Sequence, residues 1–205
     1  MVSLLTICAF LLKLGKGQNK ITMARKLPLY DEAKATQVAA FLLKQNDGCM
    51  NLLKFIKIMY NIEREALRRW SYPVTHSTMC SMKEGQVLSE IYDNTKPNKH
   101  RPIWKEYIDT NRQTNTVSLK KESPIGKLCR AEIGLIKEIY QRDRDKSISQ
   151  LIKEHHEYPE YIDPGDSSIE TDFGKLLSIL GKTPEQISIC KKDMQGVAYL
   201  KEITA

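Results

Sequence analysis

The sequence predicts a mainly α fold with a small antiparallel β element, arranged as one compact helical domain. Three observations predict it. Apolar residues recur at i, i+3 and i+4 through long N-terminal segments and again around Ile136. Helix-opening residues stand ahead of these segments, at Asp31, Asn51, Ser147 and Thr183. The β-prone runs are few and short.

Asp31–Gln45 reads as a helix, because Ala35, Val38, Ala39, Leu42 and Leu43 fall on one face and the acids Asp31 and Glu32 open it. Asn46-Asp47-Gly48 stops it with turn chemistry. Asn51 is the N-cap expected for the next helix, which runs to about Trp70. Its apolar residues cover about half the circumference at roughly 100° per residue, so it is expected to be central and to touch several neighbours. Ser71-Tyr72-Pro73 breaks it. Thr78–Met82 is expected as a strand ending at Gly85, Val87–Asn94 as a short helix, and Lys96–Pro102 as a loop. Trp104–Ile108 is helical or extended, and Thr116–Leu119 is a strand that could pair with Thr78–Met82. Leu128–Asp143 is a helix; Ser147 and Gln150 form a capping box for another, ending near His156. Asp172–Leu180 follows with Gly181 just past its end, and Thr183-Pro184-Glu185-Gln186 opens a last helix of about ten residues.

The organisation expected is an N-terminal extension over 1–25, a domain over 26–182 and a C-terminal helical extension over 183–205. Val2–Leu14 is apolar but shorter than the about 20 residues that a membrane span needs, and no positive charge precedes it as in a secretory signal. It is either an appendage or sequence upstream of a start at Met23.

Thirty-two Lys and Arg against 25 Asp and Glu give a net charge of +7. Residues 1–22 contribute +3 and residues 131–205 contribute −4, so the middle of the chain is the basic part. The five cysteines include no CxxC pair, which predicts reduced thiols in a cytoplasmic protein and neither a disulfide framework nor a zinc site. No phosphate-binding glycine loop, HExxH or GxSxG is present, so no cofactor, metal or catalytic residue is assigned. His155 and His156 are adjacent on a helix and point about 100° apart, which disfavours a shared metal.

Opposite the apolar arc of the long helix, Lys54, Lys57, Asn61, Arg64 and Arg68 form a basic stripe. It is a solvated face, a phosphate-binding face or a contact for an acidic protein. It holds no aromatic residue to stack on bases, so nucleic acid is possible but not favoured. Glu63 falls inside the apolar arc. It is either a structural carboxylate paired with an arginine or hydroxyl, or the carboxylate of a pocket, with Tyr60 or Arg64 beside it if the protein were an enzyme.

Several stretches, in order, resemble the SocA-like, Panacea-domain family of antitoxins and phage-associated proteins. They are Tyr30–Ala35 with the following AAFLLK, Gly48–Tyr60 continuing to Arg64–Leu67, Tyr72-Pro73-Val74-Thr75, Met82–Gly85 with Val87–Asp93, and the run of Leu151, His155, Pro159-Glu160-Tyr161, Pro164-Gly165 and Ser168-Ile169. The resemblance spans Tyr30–Gly181. It implies a mainly helical fold and a protein that neutralises a toxin, encoded by an adjacent gene, through direct binding. Many members read Met-Pro-His-Gly-Pro-Val where this chain has Met82-Lys83-Glu84-Gly85-Gln86-Val87. The expected contact residues are Lys54, Lys57, Arg64, Arg68, Met82, Gly85, Gln86 and Tyr92. A nucleic-acid-binding regulator, or less readily an enzyme with a pocket at Glu63, is the alternative.

Overall fold

The computed structural model describes residues 30–99 and 101–203, and side chains as far as 199. The extension over 1–25 and His100 therefore lie outside the described residues. The elements in order are α1 (Glu32–Lys44), β1 (Cys49–Asn51), α2 (Leu52–Trp70), β2 (Met79–Met82), β3 (Gly85–Leu88), α3 (Ser89–Asn94), α4 (Pro102–Tyr107), β4 (Ile108–Asn111), β5 (Thr116–Leu119), α5 (Arg130–Asp143), α6 (Ile148–Glu157), β6 (Ile169–Glu170), α7 (Phe173–Ile179) and α8 (Pro184–Ile203). The fold is mainly α with small antiparallel sheets.

The caps form where the sequence places them. Asp31 accepts from the Lys34 amide at the start of α1, and Asn51 accepts from Leu53 and Lys54 at the start of α2. Ser147 and Gln150 bond reciprocally at the start of α6. Gly181 takes the left-handed conformation after α7, at φ 83°. Helix α2 is the centre of the molecule and packs against α5, α6 and β3. Its Phe55, Ile58, Met59, Ile62 and Leu67 are fully or almost fully buried. Helix α5 lies on one side of it and is joined to α1 by Lys34–Glu132 at 2.6 Å. The Glu32 carboxylate accepts from the Ile103 and Trp104 amides, so α1 supplies the N-terminal cap that α4 lacks in its own sequence. Trp104 is fully buried, edge-on to Phe55. Helix α8 sets Cys190 and Met194 into the core.

Two strand expectations are corrected. Thr116–Leu119 does not pair with Thr78–Met82. It lies between Cys49–Asn51 and Ile108–Asn111 in a sheet of order β1-β5-β4. The β2 strand instead forms a hairpin with β3 and takes β6 on its other edge. The reason is local closure: Met82 pairs with Gly85 across a two-residue turn, and Asn111 accepts from the Gln113 and Thr114 amides in the β4–β5 turn. Val87 and Leu88 consequently extend β3, and the helix expected over Val87–Asn94 begins only at Ser89. The last helix runs twenty residues, not ten.

Replacing Asn51 by Ala removes the side-chain oxygen that accepts both cap bonds of α2 and should cost about 1 kcal/mol of stability, read as a lower urea midpoint at unchanged slope.

Candidate functional site

The polar side of α2 is covered, and that decides its chemistry. Lys57 is 1% exposed and Asn61 2%, although both belong to the basic stripe. The β2–β3 hairpin and α6 lie over them. Lys57 donates from Nζ to the Gln86 carbonyl at 3.0 Å. Asn61 donates to Asp143 at 2.8 Å, and Tyr158 donates its hydroxyl to Asn61. Arg64 grips Glu160 with two bonds, of 2.6 and 3.2 Å, while Tyr60 donates to the same carboxylate at 3.1 Å. Its guanidinium lies 4.2 Å from the centroid of the Tyr158 ring. Lys54 reaches the Arg144 and Lys146 carbonyls and so caps the C-terminal end of α5.

The stripe is therefore not a free basic face, which corrects the solvated-face reading. Only Arg68 projects into solvent, and it is bonded to Glu65, which also binds Arg69. Arg69 in turn pairs with Glu138.

Burial sets the ionisation of this seam. It pushes the Lys57 ammonium down to about 7, against the opposing charge of Glu84. Burial, and then the Lys57 charge, push His155 down to about 2, so its imidazole is neutral. Neither ring nitrogen of His155 makes a well-formed hydrogen bond, though the Gln86 backbone lies beside it. The ring packs instead against Tyr60 and Tyr158. His156 turns outward, stacks on Tyr161 and bonds the Lys83 carbonyl at 3.0 Å. The two histidines thus diverge, one into the core and one against the hairpin. Gly85 lies between them and α2 at φ 93°; a Cβ there would meet the His155 Cβ at 2.7 Å and Lys57 Nζ at 3.1 Å.

Glu63 points the other way. Its carboxylate accepts from the Val74 and Thr75 amides and the Thr75 hydroxyl, at 3.1–3.2 Å. These groups come from the segment after the α2 break, so the partner is a hydroxyl with backbone amides rather than an arginine. Burial raises its pKa to about 7, with the bonds from Thr75, Val74 and His76 opposing that rise. Glu63 also lines a cavity of about 620 Å³ together with Met79, Asp172, Gly174, Leu176 and Lys191. The structure does not bring Tyr60 or Arg64 to it; both engage Glu160.

Of the other expected residues, Gly85 and Gln86 are buried in the hairpin, and Met82 and Tyr92 are half-buried. Lys96 and Arg112 lie over the Tyr92 ring, at 4.3 and 5.8 Å from its centroid. The residue-by-residue reading missed Asp143 and Glu160. Both stand 82 to 100 positions from their partners on α2, and nothing in their local spacing marks them as buried. The Pro159-Glu160-Tyr161 motif was the signal available for Glu160. Among the described residues no cluster of His, Cys, Asp and Glu could hold a metal, and no helix is long and apolar enough to cross a membrane.

A family model, that of the antitoxin SocA-like Panacea domain, matches residues 55–160, about half of the chain. That span runs from α2 to the carboxylate that binds Arg64. No curated protein and no solved structure matches the chain.

Two substitutions test the geometry. Gly85→Ala should cost about 2–4 kcal/mol, because it forces both a strained φ and a clash, and urea unfolding reads this directly. For Glu63 the native pKa lies above the unfolded one, so the native state holds the extra proton between 4.5 and about 7, and stability falls as pH rises through that window. Glu63→Gln abolishes this loss. The mutant-minus-wild-type stability should rise by roughly 2–3 kcal/mol between pH 5 and pH 8.

Proposed function

Because the chain belongs to the SocA-like, Panacea-domain antitoxin family, we propose that it is the antitoxin of a toxin–antitoxin pair and neutralises its cognate toxin by direct binding. Family membership is the observation that carries this reading. The toxin is the product of an adjacent gene, the encounter is cytoplasmic, and the antitoxin contributes no chemistry of its own.

The contact residues of this reading divide by depth. Arg68 is exposed, and Met82 and Tyr92 are half-buried, so these can touch a partner directly. Tyr92 has the Arg112 guanidinium over its ring, and tyrosine and arginine are among the residue types that dominate protein interfaces. Lys57, Arg64, Gly85 and Gln86 act from beneath by holding the hairpin and the segment after α6 in place, and Lys54 by capping α5. An operator-binding role draws less support, since Arg68 and Arg69 are already paired with carboxylates.

Expression of the adjacent open reading frame alone should arrest growth, and co-expression with this chain should restore it. Growth unaffected by the adjacent frame, with or without this chain, overturns the reading. Tyr92→Ala should weaken the purified complex by about tenfold or more in a titration, leaving the fold intact by circular dichroism.

A further inference from the structure

The cavity floored by Glu63 is used neither by the polar seam of α2 nor by the contact residues above. Its size, about 620 Å³, lies in the range of sites that enclose a small molecule or a large side chain. Its walls are of two kinds. Leu67, Met79 and Leu176 are aliphatic, whereas Glu63, Glu170 and Asp172 bring carboxyl groups.

Glu63 is only 1% exposed, yet it lines this space, and four bonds from residues 74 and 75 fix its orientation. At the outer end Lys191 lies against Gly174. A Cβ on that glycine would meet Lys191 Nζ at 2.5 Å and Cε at 3.1 Å, with the Asp172 carboxylate at 3.4 Å. The bare glycine therefore lets an ammonium on an aliphatic arm lie along the wall near a carboxylate, which is the chemistry that the rest of the cavity matches.

We propose that this cavity binds a guanidinium or primary ammonium group carried on an aliphatic arm, the head toward Glu63 and the arm against Leu67, Met79 and Leu176. The charged lining has three carboxyl groups to one ammonium, which disfavours an anion. The aliphatic wall disfavours a bare inorganic cation, which needs oxygen ligands all round. A cation at Glu63 also supplies the counter-charge that a buried carboxylate lacks. The head group can arrive as a free amine or on the basic side chain of a protein.

Calorimetric titration of the full chain at pH 8 with butylguanidinium, and with its neutral counterpart butylurea, tests the assignment. Butylguanidinium should bind at least about tenfold tighter than the urea, the value of one charge-assisted contact. Glu63→Gln should lose about tenfold of that affinity, and Lys191→Ala, at an exposed position, should gain about threefold by removing a like charge. Equal binding of the two probes, no binding of either, or indifference to Lys191→Ala overturns the proposal, whether or not the Glu63 variant folds. A second comparison identifies the source. Tighter binding of agmatine marks a free amine, and tighter binding of N-acetylarginine methylamide marks a protein side chain; both support the head-group assignment.

Discussion

Everything in this molecule is arranged around a central helix that buries polar groups on more than one side. Helix α2 carries Lys57, Asn61 and Glu63 at 1–2% exposure, with Arg64 mostly covered beside them. A buried charge without a partner costs several kcal/mol, so each of these residues requires a specific atom from elsewhere in the chain. Lys57 takes the Gln86 carbonyl, Asn61 takes Asp143, Glu63 takes the amides after the helix break, and Arg64 takes Glu160. Those four partners belong to four different segments. Their bonds pin the hairpin, the end of α5, the 74–75 turn and the segment after α6 onto a single rod.

That constraint bears on the hairpin, where this chain departs from the pattern of its family. Lys83 and Glu84 are exposed, so substitution there leaves the packing alone. Gly85 is retained, and the close approach of His155 explains why. At position 86 the buried seam uses only the main-chain carbonyl, which any residue supplies, proline included. The glutamine side chain bonds Ser81 through its oxygen but leaves its nitrogen without a partner, a local cost of this chain's choice. The loop can therefore vary in its outward face while its inward face stays tied to α2.

Much of the architecture was legible in the residues because it rests on local rules. Caps at Asp31, Asn51 and Ser147, and the apolar periodicity of α1, α2 and α5, depend on neighbours within a turn or two. The strands were less legible. Val87 and Leu88 suit a helix by pattern, and only pairing with Met79 and Cys80 makes them a strand. Thr116–Leu119 was readable as β but not as the neighbour of Cys49–Asn51, sixty-odd residues earlier. The polar arc of α2 shows the same limit at the site. Helical spacing grouped Lys54, Lys57, Asn61, Arg64 and Arg68 on one side, and that grouping is real, but spacing is silent on what lies against a face.

The sequence by itself determined most of the helices, the caps at Asp31, Asn51 and Ser147, the burial of Glu63 and the family, because capping, periodicity and ordered motifs are written in nearby residues. Tertiary structure alone decided that the basic stripe is an internal seam, and that Glu63 faces a cavity instead of Tyr60 and Arg64. The physical reason is that desolvation and ion pairing depend on contacts between residues 11 to 100 positions apart. A helical wheel places a charge on a face; only the packed chain supplies the carboxylate or carbonyl that makes burying it affordable.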